Sequence, residues 1–296
     1  MIKKQERSED EKKMKNKAYL QLIISMIIFG TIGLAVVNIP ASRGFVALVR
    51  GAVGSLFLLA FSFLTRRPPS IRAIKNNALW LFISGGLIGA NWILLFESYR
   101  YSSVAASTLI YYLSPIFVMI LCAILLGERI TPVGALCAVA ALGGMILISG
   151  LALGSILALG AAVLYAIVVL INKTLIRDIS PLDTTIVQLA SAALCILPYV
   201  LITENPLAYT FSPRDILILA VVGIIHTGVA YLLYFAAVKG MKGQSIAILS
   251  YVDPTVAVLL SFLTEDSFSV PVLIGALIIL SSAILSETLG NKKCGE

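Results

Sequence analysis

The stretch from Ile130 to Asn172 reads ITPVGALCAVAALGGMILISGLALGSILALGAAVLYAIVVLIN, 43 residues without a single Lys, Arg, Asp or Glu. One helix crossing a bilayer needs about 20 apolar residues, so the run holds two, with Ser149-Gly150-Leu151-Ala152-Leu153-Gly154-Ser155 as the turn between them. Two adjacent spans make the chain a membrane protein, and the rest of the composition agrees. Of 296 residues 59% are hydrophobic and 12% charged, more apolar surface than a soluble fold of this size can bury. The 22 Lys and Arg and 15 Asp and Glu are unevenly spread: 11 of these 37 fall in the first 17 positions. Disorder, a collagen repeat and a disulfide scaffold are excluded.

Working outward, the other charge-free runs are 18–42, 51–65, 76–96, 101–127, 184–203, 216–238 and 267–286, with 243–264 interrupted only by Asp253. Extending the second run back to about Ala41 makes it long enough to span and places Arg50 within the membrane. Ten helices are expected, near 18–38, 42–65, 76–98, 103–126, 131–149, 154–173, 183–203, 215–238, 243–264 and 268–288. The first is too long for a signal-peptide core and is followed by nine further spans, so it reads as a transmembrane helix. Residues 1–17 read as a polar cytoplasmic tail without an apolar face, and 290–296 as a second.

Positive residues are retained on the cytoplasmic side, which tests the count. With the N-terminus inside, 18 of the 22 Lys and Arg fall on the cytoplasmic side; Arg43, Arg100 and Arg214 fall outside, and Arg50 lies within a span. Both termini are therefore expected in the cytoplasm and the chain in the cell membrane. The net charge of +7 belongs to those short loops, so no nucleic-acid partner is expected. Cys122, Cys137, Cys195 and Cys294 are widely scattered, with no metal or disulfide spacing. The first three read as small packing residues.

Many secondary transporters are built from two inverted halves, which motivates a search for an internal repeat. A shift of 139 places Gly89 on Gly228, Leu94 on Leu233, Phe96 on Phe235, Arg100 on Lys239 and Pro115 on Pro254. One residue of slippage later, Gly127-Glu128-Arg129 meets Glu265-Asp266. Helices three to five thus repeat as helices eight to ten, and because five is odd the second copy enters from the opposite side. The fold class expected is an all-α integral membrane protein, ten transmembrane helices in two inverted five-helix repeats, 18–149 and 150–289.

The segment Leu125-Leu126-Gly127-Glu128-Arg129-Ile130-Thr131, 10 residues after Pro115, resembles the signature turn of the drug/metabolite transporter superfamily, specifically its ten-helix EamA-type carriers. So do Asn91-Trp92-Ile93-Leu94-Leu95-Phe96-Glu97-Ser98-Tyr99-Arg100-Tyr101 leading to Tyr111-Tyr112-Leu113-Ser114-Pro115, the glycine Gly30, and Val49-Arg50-Gly51. The similarity runs from about residue 18 to 288. It implies a solute carrier working by alternating access, commonly an exporter of amino acids or other small metabolites. Two departures stand out. Thr264-Glu265-Asp266 occupies the place where the family often repeats a Gly-Glu turn, and helix one has no carboxylate, unlike small multidrug-resistance relatives whose proton-coupling glutamate sits there.

An ionisable group in hydrocarbon costs several kcal/mol, so each one within a span is a functional candidate. Arg50 can hold a substrate carboxylate bidentately, or it can form an internal ion pair or bind backbone carbonyls that fix packing. The resemblance marks the same position. Asp253 can neutralise Arg50, bind a substrate amine or take up a proton, which makes the proton a candidate coupling ion. Pro115 and Pro254 break backbone hydrogen bonds near mid-membrane, leaving carbonyls free for a ligand or simply kinking the helices. His226, the sole histidine, can relay a proton or serve as a neutral hydrogen-bonding residue. Asn91 lies in mid helix three. Thr108, Tyr112 and Pro115 follow i, i+4, i+7 spacing along helix four, a polar aromatic stripe suited to an amphipathic solute or to interhelical hydrogen bonding.

Substrate-binding residues are therefore expected at Arg50, Asn91, Tyr112, His226 and Asp253. Glu97 and Arg100, three apart, can pair as a gate or structural clasp, and Glu128 with Arg129 can cap helix five. Glycines and alanines such as Gly134, Gly143, Gly144, Gly275 and Ala276 permit close packing within one protomer or, as the resemblance allows, a homodimer surface. The expected partners are a small-molecule solute and the lipid bilayer. No cofactor, metal or ATP-binding loop is expected. Drug or organic-cation efflux is the competing transport function. An intramembrane enzyme would need a converging nucleophile or His/Asp set that a single histidine does not provide, and a channel or scaffold is the remaining class.

Overall fold

The computed structural model describes residues 2–32, 39–102, 104–127, 153–241, 243–250 and 252–261, with isolated positions at 35, between 130 and 143, and between 274 and 281. The expected fifth and tenth helices (131–149 and 268–288), Glu128, Arg129 and the C-terminal tail lie largely or wholly outside the described residues. What is described is helical throughout: α1 (Ile2–Gly30), α2 (Arg43–Leu64), α3 (Ile71–Tyr101), α4 (Val104–Tyr111), α5 (Ser114–Leu126), α6 (Leu153–Thr174), α7 (Pro181–Thr203), α8 (Pro213–Val238), α9 (Gly243–Leu249) and α10 (Val252–Ser261). Among the described residues α2, α3, α6, α7 and α8 are each long and apolar enough to cross a membrane, as is the stretch Ser107–Leu126 taken across the junction of α4 and α5.

Serine begins four of these helices. Ser42, Ser70, Ser180 and Ser212 each accept a hydrogen bond from the backbone N–H three residues on, satisfying one of the donors a helix start leaves free. Ser212 and Asp215 form the reciprocal capping box. At the far end of α2, the Arg66 N–H reaches the Phe63 carbonyl and the Arg67 N–H that of Ser62. This is the closing pattern that ordinarily uses glycine, yet Arg66 itself holds the left-handed φ of 55°. Gly127 takes that conformation after α5, with φ 66°.

Three expectations change. The polar tail is helical from Ile2 and continuous with the first span. The fourth span is not one helix over 103–126 but α4 and α5, with a break at Tyr112-Leu113. The ninth divides the same way, into α9 and α10. Pro115 and Pro254 therefore sit in the first turns of new helices instead of kinking continuous ones. A first-turn N–H has no intrahelical acceptor to lose, so proline is tolerated there.

The packing pattern maps onto itself when the first four spans are exchanged with the sixth to ninth. α3 lies along α6 and α7, as α8 lies along α1 and α2; α4 and α5 meet α6, as α9 and α10 meet α1; α2 crosses α7. Lipid offers no hydrophobic drive between helices, so close approach at small residues takes its place. On α3, Gly85 and Gly89 press on α7: a Cβ at Gly85 would lie 2.5 Å from that of Ser191, and one at Gly89 2.9 Å from the Ala192 carbonyl. On α8, Gly223 and Gly228 press on α2 at Val53, Gly54 and Phe57. The first pair is four residues apart, the second five. Between the second pair α8 winds as a π-helix, Ile224–Val229, whose i→i+5 spacing keeps both glycines on the α2 face.

One end of the bundle gathers Lys17, Arg66, Arg67, Arg72, Lys75, Lys173, Arg177 and Lys239. Three contacts tie it: Asn77 grips the Arg177 backbone through both its amide groups, Lys173 Nζ donates to the Met241 carbonyl and Lys239 Nζ to that of Ile179. Arg43, Arg100 and Arg214 lie at the opposite end, where the Ser42 hydroxyl donates to Glu204 and the Tyr199 hydroxyl to Glu97.

Candidate functional site

Arg50 projects from the middle of α2 and is held by neutral groups. Its Nε donates to Thr227 Oγ1 at 3.0 Å, and its guanidinium carbon stands 4.3 Å from the centroid of the Trp92 ring. A cation over an indole face gains on the order of 1 to 2 kcal/mol, more as it leaves water. Thr227 passes its own proton to the Val222 carbonyl five residues back, at 3.0 Å, a bond that the π turn makes possible. That turn therefore both supports the helix contact and presents the acceptor for Arg50.

Around the guanidinium stands an aromatic wall. Trp92 meets Tyr231 edge-on at 6.1 Å, Phe29 meets Tyr231 at 5.0 Å, Tyr111 meets Tyr165 at 6.1 Å and Tyr165 meets Tyr234 at 5.9 Å. Tyr111 donates to Asn91 Oδ1 at 3.4 Å while the Asn91 amide donates to the Ala161 carbonyl, so Asn91 links α3, α4 and α6. Asp253 hydrogen-bonds with Tyr112 and lies within electrostatic reach of Arg50. Tyr112 closes the last turn of α4, its N–H bonded to the Thr108 carbonyl at 3.0 Å just before the break, and the equivalent break before Pro254 puts Asp253 in the first turn of α10.

Of the five substrate-binding residues expected from sequence, Arg50 and Asp253 come within reach of each other, Tyr112 accompanies Asp253, and Asn91 is tied to the aromatic wall through Tyr111. His226 is buried on the π turn and faces α1: its Nε2 lies 3.0 Å from Thr31 Oγ1 and its Nδ1 3.5 Å from the Val221 carbonyl. The single proton of the Thr31 hydroxyl serves either His226 or the Ile28 carbonyl, at 2.8 Å. Of the expected stripe of Thr108, Tyr112 and Pro115, the first two keep their i, i+4 relation through the Tyr112 N–H to Thr108 carbonyl bond at 3.0 Å, and Pro115 opens α5 beyond the break. α4 ends at Tyr111, Thr108 pairs with Tyr99 at 3.3 Å, and Tyr112 turns to Asp253.

Sequence reading missed Trp92, Thr227, Tyr111 and Tyr231. Each was visible only as a neighbour of a chosen residue, since what recommends them is their approach to Arg50 from α3, α4 and α8. It also missed Gln188, wholly buried on α7. Its Nε2 donates to Ser84 Oγ and to Asn172 Oδ1 at 3.2 Å, while its Oε1 has no partner among the described residues.

At the end opposite the basic loops, Glu97 pairs with Arg100 at 3.2 Å and accepts from Tyr199, joining α3 to α7. Glu204 accepts from Ser42 and joins α7 to α2. At the basic end, just past α8, half-burial lowers the Lys239 pKa and nearby Asp178 opposes that shift.

A bundle of bilayer-length apolar helices with buried charges at its centre defines a multi-pass membrane protein. The chain belongs to the EamA-like transporter family, of the drug/metabolite transporter superfamily, whose family model matches twice, over residues 16–150 and 152–288. It is 28% identical over 260 residues to YxxF, an uncharacterized transporter of Bacillus subtilis strain 168, covering 84% of this chain and 82% of that one. An uncharacterized transporter of Archaeoglobus fulgidus is 26% identical over 273 residues, 90% of this chain and 94% of its own. A solved crystal structure shares the fold at TM-score 0.74 and 19% identity, covering 95% of this chain and 99% of that one.

Proposed function

We propose that this transporter is a secondary carrier of a small zwitterionic solute, most simply an amino acid exported from the cytoplasm, working by alternating access between two inverted halves, 18–149 and 150–289. The observation that carries the solute class is that Arg50 and Asp253 lie within electrostatic reach of each other while each is held by neutral partners. Two opposite charges face one aromatic-walled space within electrostatic reach, each satisfied by a neutral partner, Thr227 with Trp92 for the one and Tyr112 for the other. Leaving both in an apolar interior is costly, and a molecule carrying a carboxylate and an amine would compensate both at once. An organic cation would suit the tyrosines and Asp253 but would be repelled by Arg50, which weighs against drug efflux.

Two separate matches to one family model and a packing pattern that survives exchange of the halves support the repeat. The gathering of basic residues at one end supports a cytoplasmic N-terminus in the cell membrane. Asp253 is the group to exchange a proton if transport is proton-coupled. Glu97 with Arg100 and Tyr199 would serve as a clasp on the outer side, opened when the solute leaves. A flux screen in proteoliposomes with amino acids, organic cations and nucleosides, with and without a pH gradient, tests the reading. It expects amino-acid flux that Arg50→Ala abolishes while the variant still folds. Flux of organic cations alone, or undiminished flux in Arg50→Ala, would overturn it.

A further inference from the structure

Away from the central cluster, the basic end of the bundle holds a cleft of about 1130 Å³ between the middle of α1 at Lys17, Ala18 and Gln21, the end of α2, the start of α7 and the end of α8. Its walls divide by chemistry. Phe61, Leu232 and Ala236 supply an apolar side, while Lys17 and Arg67 stand with Asp183 where the helices end. Neither Lys17 nor Arg67 has a side-chain hydrogen bond or ion pair among the described residues, whereas the Asp183 carboxylate already accepts the Ser70 N–H at 3.3 Å. Asp183 also sits in the first turn of α7, whose free N–H groups favour negative charge. The unanswered charge of the cleft is therefore positive.

The turn that delivers Arg67 is itself unusual. Arg66 takes the left-handed φ that glycine adopts at far lower cost, and the closing bonds from Arg66 and Arg67 to Phe63 and Ser62 carry the chain around so that Arg67 lines the cleft. The other basic residues of this end, such as Arg72 and Lys75, do not line it. A cationic rim at the level where helices end, over an apolar wall facing hydrocarbon, matches an amphiphile with an anionic head. A fully polar solute would leave Phe61 and Leu232 unanswered.

We infer that this cleft binds an anionic phospholipid, the phosphate held by Lys17 and Arg67 and an acyl chain lying along Phe61, Leu232 and Ala236. The inference is independent of the transported solute and of which leaflet the end faces, and it is testable without either. Purified, delipidated full-length chain is titrated with short-chain phosphatidylglycerol, with phosphatidylcholine of the same chain length and with inorganic phosphate, and thermal unfolding is followed.

Phosphatidylglycerol is expected to raise Tm saturably, with phosphatidylcholine and phosphate giving little. The double variant Lys17→Ala/Arg67→Ala should need roughly 30-fold more phosphatidylglycerol for half the effect, while its Tm in phosphatidylcholine stays that of the parent. Arg72→Ala/Lys75→Ala, which removes as much charge from the same end, should behave as the parent. Ala236→Phe, which fills the apolar side, should weaken the lipid effect with the basic residues intact. An equal shift from inorganic phosphate would reduce the site to a free anion site. Equal losses in the two double variants would reduce the effect to surface charge. Either result, or a phosphatidylglycerol shift unchanged in Lys17→Ala/Arg67→Ala, overturns the inference, as would displacement of the lipid by a transported solute.

Discussion

α2 and α7 cross where two glycines admit their neighbours, Gly51 against Ala193 and Gly54 against the Leu189 side chain, and each helix carries a polar side chain next to the crossing, partly buried on α2 and wholly buried on α7. On α2 it is Arg50, immediately before Gly51; on α7 it is Gln188, immediately before Leu189. Arg50 reaches a hydroxyl on α8, Thr227, and Gln188 reaches a hydroxyl on α3, Ser84. The two arrangements are counterparts by position and opposites in character. Arg50 brings a full charge to an aromatic wall and faces a carboxylate, whereas Gln188 joins a neutral cluster with Ser84 and Asn172 and leaves one acceptor unmet. One scaffold thus supports a charge held over an aromatic ring on one side and a neutral interhelical hydrogen-bond cluster on the other. The difference lies in the partners each side chain meets and in burial, since Gln188 is wholly buried and Arg50 only partly.

That contrast makes a graded set of predictions. The largest effect is expected on flux from Arg50→Ala, a loss on the order of 100-fold or more, the scale of truncating one member of a buried charge-assisted contact. Arg50→Lys should recover part of it, since the charge remains while the planar stack on Trp92 is lost. If Gln188→Leu lowers flux as much as Arg50→Ala, the two sides are functionally alike and the contrast fails.

Next come the crossings themselves. Gly85→Ala should destabilise the purified chain by about 2 kcal/mol, because the new Cβ would meet Ser191 Cβ at 2.5 Å and the Gln188 carbonyl at 2.6 Å. Gly223→Ala, with Val53 Cβ at 2.5 Å, should cost about as much if the two faces are equivalent in packing. A Tm series in detergent compares them directly, and a large disparity would show that the symmetry of contacts is not a symmetry of energies. Gln188→Leu is expected to change stability by only about 1 kcal/mol, since two hydrogen bonds are lost while an unmet acceptor disappears. The smallest effect has the opposite sign: Gly86→Ala, where nothing lies within 4 Å of the new Cβ, should stabilise α3 by about 0.5 to 1 kcal/mol.

Much of the fold is legible because charges mark where helices leave the bilayer. The expected spans 42–65, 76–98, 154–173, 183–203 and 215–238 lie within five residues of α2, α3, α6, α7 and α8 at every end. The breaks at Tyr112 and near Ser250 were written less plainly. Pro115 and Pro254 announce them, but hydropathy runs through both, and only the rule that proline prefers a first turn distinguishes a new helix from a bent one. Arg50 and Asp253 were legible as costly charges in apolar runs. Their company was not. Trp92, Thr227 and Tyr112 arrive from three other helices, and periodicity along one helix carries no information about what stands across from it. The separation of Pro115 from Thr108 and Tyr112 has the same root, since i, i+7 spacing presumes an unbroken helix.

The π turn of α8 has a consequence for how such a chain can change length. Gly85 and Gly89 keep their face with three residues between them, Gly223 and Gly228 with four, and the surplus residue is taken up within a single turn. A one-codon insertion in a transmembrane helix would ordinarily rotate everything beyond it by about 100°. Here the insertion is absorbed before it can spread, and Thr227 and His226 both stand within the absorbing turn. Two helices that differ by one residue between their contact glycines can therefore present the same face, and the helix with the extra residue gains polar positions within the turn that absorbs it.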